Sequence, residues 1–223
     1  MKANLATRLK KTFRWGAIAV IAIGYPVLSH IVSSSSVPSI AGAFLAIAPL
    51  MGLALLMAWR SRQRAALLAL CLAGLALLYA GRDWLVSHYN WVFLLQHAGT
   101  YGLLCLGFGR SLRKGHTPMI SRFAAMVHPE MSPAQVSYTR SATWAWTLYF
   151  ASISGISLLL FWLAPIQAWS TFANLLGMPL LAMMFIAEYA VRCRTLAPSE
   201  RAGPIESIRA YRRASASGAM HQR

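Results

Sequence analysis

The chain has 223 residues, 57% of them hydrophobic and 12% charged, where soluble domains carry about 25% charged residues. Its mean hydropathy is +0.52 and its net charge is +16, from 21 basic and five acidic residues. This composition excludes an ordinary soluble domain. It also leaves few carboxylates for divalent-metal chemistry.

Apolar runs long enough to cross a ~30 Å hydrocarbon core recur along the sequence. They predict an all-α fold: a polytopic integral membrane helical bundle of about six transmembrane helices plus a short amphipathic cytoplasmic helix. The predicted spans are 15–33, 38–58, 65–81, 91–109, 142–164 and 174–191. Residues 1–191 form the membrane domain, with a cytoplasmic loop at 110–141, and 192–223 are expected to be a flexible basic tail. Shorter connections are expected at Ser33–Pro38, Arg60–Arg64, Gly81–Asn90 and Pro165–Thr171.

The first span follows Lys2, Arg8, Lys10, Lys11 and Arg14 and carries Tyr25-Pro26 and His30. Basic residues, an apolar run and small serines also describe a secretory signal, with cleavage near Ser33, but the run exceeds the usual h-region of roughly 7–15 residues. The second span contains Pro49, a kink site. It ends at the basic turn Arg60, Arg62, Arg64.

The fourth span, WVFLLQHAGTYGLLCLGFG, is the most polar. Gln96 and Thr100 are one helical turn apart, as are His97 and Tyr101, and Gly99 and Gly102 allow close backbone approach. Polar groups at membrane depth face the bundle or a water-filled cavity. Two roles fit His97: relaying a proton or holding a carboxylate, or cross-bonding a neighbouring helix together with Gln96 and Thr100.

In the loop, Thr117-Pro118 supplies a predicted N-cap and a proline at N1. Met119, Ile120, Phe123, Met126 and Val127 then share one side of a helix, with Ser121, Arg122 and His128 on the other, until Pro129. Such a helix either lies in the headgroup layer or packs on its neighbours in the cytosol. Ser132-Pro133 with Gln135 writes a capping box for the next helix.

The fifth span opens with Trp144 and Trp146, expected in an interfacial aromatic belt with Trp15 and Trp59. Ala151 and Gly155 offer a small-residue packing face. The sixth span has Gly177 and Pro179 as kink sites and Glu188 as the one acidic residue within a span. Arg192 follows Glu188 at i+4, the favourable order for an ion pair. A general base or cation ligand opposite His97 is the alternative role for Glu188.

With the N-terminus inside, Arg110, Arg113, Lys114, Arg122 and Arg140 fall on the cytoplasmic side. So do the N-terminal basics, the Arg60–Arg64 turn and the tail cations Arg192, Arg194, Arg201, Arg209, Arg212, Arg213 and Arg223. Arg82 alone is left outside. The positive-inside rule therefore predicts a multi-pass membrane protein of six spans with both termini cytoplasmic. Because the charge is spread over every cytoplasmic segment, the expected partners are membrane lipids and not nucleic acid.

Cys71, Cys105 and Cys193 are scattered, without CxxC spacing, so neither a disulfide framework nor a zinc site is indicated. No P-loop, GxSxG elbow, HExxH helix or paired-aspartate motif occurs. No cofactor, metal or catalytic residue is assigned.

The stretches FGRSLRKGHTPMISRFAAMVHPEMSPAQVSYTRSATWAW (Phe108–Trp146) and WSTFANLLGMPLLAMMFIAEYAVRCR (Trp169–Arg194) resemble a family of bacterial inner-membrane proteins. Members are found beside fatty-acid-synthase-like genes, including aryl polyene pigment clusters, and are often labelled ketosynthase. A condensing enzyme needs a positioned Cys–His site in a soluble fold, whereas all three cysteines here sit in or beside predicted spans. The resemblance implies lipid or aryl polyene biosynthesis at the inner membrane. Three functions are in competition: an accessory platform for acyl chains on an acidic acyl-carrier protein, docked by Arg110, Arg113, Lys114 and Arg122; a small transporter or flippase; and an integral-membrane acyl- or glycosyl-transferring enzyme using His97, Glu188, His116 or His128.

Overall fold

The computed structural model describes residues 2–35, 37, 39–127 and 130–198, excluding the side chains of residues 2–14, 17 and 18. Among the described residues there is no strand. The helices are α1 (Lys2–Ser33), α2 (Ile40–Arg60), α3 (Arg64–Ala80), α4 (Arg82–Ser111), α5 (Met119–Ala125), α6 (Pro133–Leu163), α7 (Ile166–Ser170) and α8 (Gly177–Thr195), with a π-helical segment at Thr171–Leu176 between the last two.

Four stretches are long and apolar enough to cross a membrane: Ile40–Arg60, Arg82–Ser111, Pro133–Leu163 and Ile166–Thr195. Two further apolar stretches, Ala19–Ser33 and Arg64–Ala80, are shorter. At 1.5 Å per residue the 17 residues of α3 reach about 25 Å, less than a ~30 Å core. Leu53, Leu95, Leu103, Leu159 and Ile186 are exposed along the four long stretches. Apolar surface on that scale is the mark of helices solvated by lipid.

Several predicted connections are helical instead. Residues 82–90, expected as a loop, form the first turns of α4: Asp83 complements the helix dipole there, and the Ser87 hydroxyl donates to the Asp83 carbonyl at 2.9 Å. The connection between α4 and α6 is shorter than the predicted loop 110–141, because α6 begins at Pro133. Its predicted capping box is present: Ser132 N–H donates to Gln135 Oε1 at 2.8 Å and Gln135 N–H to Ser132 Oγ at 3.2 Å. The expected turn at Pro165–Thr171 is α7, which runs through the π segment into α8. Helix α8 extends to Thr195, into the predicted tail. His128 and Pro129, and the tail from residue 199, lie outside the described residues.

The chain divides into two compact units, Met1–His97 with Ser157–Met178 and Ala98–Ile156 with Pro179–Arg223. In the first, α2 is the centre. Pro49 has no N–H for the Leu45 carbonyl, four residues back. The Tyr25 hydroxyl donates to that carbonyl at 3.5 Å, and Gln96 Nε2 donates to the adjacent Ala46 carbonyl. Side chains from α1 and α4 thus occupy backbone acceptors around the proline, the usual remedy in an apolar medium. Gly42 is required nearby, since a Cβ would lie 2.6 Å from Val32 Cγ1 and 3.0 Å from Tyr89 Cζ. Ser39 caps α2 through the Gly42 N–H at 3.0 Å.

In the second unit, α6 presents a stripe of buried threonines, Thr139, Thr143 and Thr147. Thr143 and Thr147 each donate to the carbonyl four residues earlier at 2.7 Å, so their hydroxyls are satisfied within the helix. Above this stripe the rings of Trp146, Tyr149, Phe150 and Phe108 meet edge-on or tilted. Phe185 of α8 joins Trp146 at 4.7 Å between centroids. Trp146 is therefore a core residue, contrary to the expected belt position, whereas Trp15, Trp59 and Trp144 are exposed. The predicted Ala151/Gly155 face is not a packing seam either: space beside Gly155 is open, and the close approach runs through Gly102, whose Cβ position is 3.6 Å from Ser154 Oγ.

Candidate functional site

The polar residues of α4 have different neighbours. In the first unit His97 Nδ1 is 3.0 Å from Ser157 Oγ, which accepts the Trp169 indole N–H at 3.1 Å. Ser157 and Trp169 are both fully buried, and the His97 ring meets Phe172 edge-on. Gln96 is bound to the α2 backbone as described above. Thr100 and Tyr101 belong to the second unit: Thr100 is exposed, while Tyr101 packs against Tyr149 and Phe150. These contacts make Gln96 and His97 links between helices of one unit.

A second polar cluster, unread in the sequence, joins the end of α1 to α7. His30 Nδ1 is 2.8 Å from Ser170 Oγ, and Ser33 Oγ is 2.7 Å from the same hydroxyl. Asn174 Nδ2 donates to Ser33 Oγ at 3.3 Å and to Ser170 Oγ at 3.2 Å. Ser33 and Ser170 are fully buried, and Asn174 stands in the π segment. The i,i+4 spacings Ser29/Ser33 and Ser170/Asn174 were a readable signal of two polar faces. What the sequence did not carry was that they face each other.

Glu188 is held by the second unit. Its carboxylate, 8% exposed, accepts two bonds from Arg192 Nη2 at 2.8 and 2.9 Å and one from Nε at 3.2 Å. The Tyr138 hydroxyl donates to Glu188 Oε1 and, at 3.2 Å, to the Glu188 carbonyl. The predicted i,i+4 ion pair is formed, and Tyr138 is a third member that one-dimensional spacing could not supply. A cleft of about 570 Å³ runs beside it between α6 and α8, walled by Ala134, Ala142, Ala145, Met184 and Val191. Both carboxylate oxygens of Glu188 accept bonds, from Arg192 of its own helix and from Tyr138 of α6, so the group acts as a clamp between α6 and α8.

The loop before α6 is tied down at its backbone. Ser111 Oγ accepts the Met119 N–H at 2.9 Å, Thr143 Oγ1 accepts the Ile120 N–H at 3.2 Å, and Ser121 and Thr139 hydroxyls lie 2.7 Å apart. These contacts replace the predicted Thr117 cap: Pro118 occupies the cap position and α5 has no side-chain cap of its own. The apolar side of the amphipathic helix is not turned wholly inward: Met119 and Ile120 are half-buried. Its polar Ser121 is buried against α6, while Phe123 and Met126 are exposed at 46% and 43%. Gly115, with φ +85°, turns the chain in the left-handed region where glycine is favoured.

Arg110, Arg113, Lys114, His116 and Arg122 are all exposed. Among the described residues the ion pairs are Glu188–Arg192 and Arg82–Asp83, so none of Arg110, Arg113, Lys114 and Arg122 pairs with an acidic residue among them. Arg140, also counted with the loop, donates to the Leu112 carbonyl at 3.2 Å. Among the described residues no three His, Cys, Asp or Glu side chains cluster as metal ligands would.

Fold and site together define a class: a helical protein with four helices long and apolar enough to span a membrane and a tethered basic surface segment. No protein-family model, curated protein or solved structure matches the chain.

Proposed function

We propose that the chain is an accessory protein of the bacterial inner membrane that serves as a platform for acyl chains carried on an acidic carrier protein, in lipid or aryl polyene biosynthesis or export. In this reading it has six spans with both termini and the α4–α6 connection cytoplasmic. Ala19–Ser33 and Arg64–Ala80 complete the six, the shorter α3 being accommodated by local thinning and by flanking Arg64 and Arg82 reaching to the interface. The observation that carries the proposal is the exposed set Arg110, Arg113, Lys114 and Arg122, without an acidic partner among the described residues, in a connection tied at Met119–Ser121 to Ser111, Thr143 and Thr139. Exposed cations on a tethered segment suit electrostatic docking of an acidic surface, which steers association within a Debye length of about 8 Å at physiological salt.

The experiment is binding of acyl-carrier protein to the full chain in nanodiscs. Replacing Arg113, Lys114 and Arg122 together by Gln leaves Arg110, Arg140 and the remaining basics to hold topology. The triple variant is expected to insert normally and to lose salt-sensitive carrier binding. No binding by the wild type, or equal binding by the variant, reduces these cations to lipid contacts.

A second reading, a small transporter or flippase, draws on the π-helical segment at Thr171–Leu176 and the network of His30, Ser33, Ser170 and Asn174 beside it, since irregular helix at membrane depth is found where a pathway or binding site is lined. Gene deletion separates the two: loss of a platform lowers product yield, whereas loss of a flippase leaves finished product in the inner leaflet.

A further inference from the structure

Helices α2, α3 and the start of α4 enclose a cleft of about 720 Å³, within the range of roughly 300–1,000 Å³ typical of ligand sites. Phe44, Ile47 and Met51 of α2, Leu75 of α3, and Leu85 and Val86 of α4 wall it. Helix α3 has no buried residue along its length, so its side of the cleft is apolar surface that the protein itself leaves uncovered. The polar element is Arg82, at one end. Its guanidinium lies over the Tyr79 ring at 5.1 Å, a cation–π contact between two residues that both line the cleft. The side chain is 54% exposed and meets Asp83 only through Nε, at 3.6 Å, with Asp83 94% exposed. An ion pair of that kind is loosely held, and both Nη groups remain for a second acceptor.

We propose that this cleft is a phospholipid seat, in which an acyl chain lies along the apolar walls and the lipid phosphate rests on the Arg82 guanidinium. The inference depends on these helices lying in a bilayer and is independent of carrier docking. Arg forks match phosphate geometry, and cationic pockets between membrane helices recognise lipid headgroups. A helix from a second copy of this chain is a poorer occupant: with five acidic residues in the whole sequence, it has little to offer a cation at the mouth. A lipid supplies the apolar length and the anion in one molecule.

The test is native mass spectrometry of the full chain released from micelles containing phosphatidylglycerol or phosphatidylcholine. Wild type should retain phosphatidylglycerol preferentially, and Arg82→Gln should lose about fivefold of that preference, the contribution of one basic residue at an anionic lipid surface. Arg82→Lys, which keeps the charge, should preserve part of it. Ala48 is an exposed wall residue, so Ala48→Phe fills the cleft without disturbing the core and should lower retention of both lipids. Equal phosphatidylglycerol preference in wild type and Arg82→Gln, or undiminished retention by Ala48→Phe, overturns the seat. So does complete displacement of the lipid by inorganic phosphate, which would leave a surface anion patch.

Discussion

Replacing Tyr138 and Glu188 singly and together gives a quantitative test of the α6–α8 clamp. Tyr138→Phe removes one hydrogen bond to an ionised acceptor while leaving Arg192 on the carboxylate; such bonds contribute about 1.5–3 kcal/mol. Glu188→Ala removes the acceptor itself, 8% exposed, and leaves Arg192 at 21% exposure without its partner. Breaking a buried pair costs about 3–5 kcal/mol. The low end applies here, because Arg192 lies in the last turn of α8, where the helix dipole still favours a cation by about 0.3–1 kcal/mol. The expected order is therefore Glu188→Ala at about 3 kcal/mol, then Tyr138→Phe at about 2 kcal/mol. The double variant should cost little more than Glu188→Ala alone, giving a coupling of about 1.5 kcal/mol or more. SDS-induced unfolding followed by circular dichroism supplies the three values. Simple additivity, or a Tyr138→Phe cost below about 0.5 kcal/mol, would refute the clamp.

Gly42→Ala should destabilise the first unit by about 1–3 kcal/mol in the same assay, since its Cβ meets Val32 and Tyr89; an unchanged midpoint would mean that α1, α2 and α4 are not packed this closely. Phe123→Asp should raise protease cleavage between residues 112 and 127 in liposomes while leaving the spans intact, because the exposed face of α5 would no longer enter the headgroup layer; equal protection in wild type and variant would assign α5 to contacts not involving that face. His97→Gln retains hydrogen-bonding capacity toward Ser157 but cannot titrate. Under the proposed function its lipid product profile should match wild type, and loss of product from a stably inserted variant would give His97 a chemical role.

Local signals were the legible ones. The Ser132–Gln135 capping box and the Glu188–Arg192 pair involve residues within one turn, so spacing alone fixes their geometry. The Thr117 cap failed for the opposite reason: hydroxyls from α4 and α6 reach the first N–H groups of α5, and tertiary donors and acceptors outcompete a local cap. Trp146 illustrates the same limit, since its place in the core depends on Phe185, distant in sequence. Hydropathy located the four long apolar stretches but not their ends; Asp83 and Trp84 read as the connection or the end of the third span and His88 as connection, yet all three lie in α4, where each bonds or stacks within its own turn. Pro49 was legible as a kink, whereas its attendants Tyr25 and Gln96 were recognisable only once the carbonyls of Leu45 and Ala46 were placed beside them.

Carrier docking requires the α4–α6 connection to face the cytoplasm, and single-cysteine labelling reads this directly. In a background with Cys71, Cys105 and Cys193 replaced by Ala, a probe is introduced at Ser35, Ser87, His116 or Ser217. His116 is preferable to its neighbour Gly115, whose φ of +85° would strain a cysteine. A membrane-impermeant maleimide added to intact cells should label Ser35→Cys and Ser87→Cys, and reach His116→Cys and Ser217→Cys only after permeabilisation. Labelling of His116→Cys in intact cells would place the cationic segment outside, where no cytoplasmic carrier could meet it, and would contradict the account.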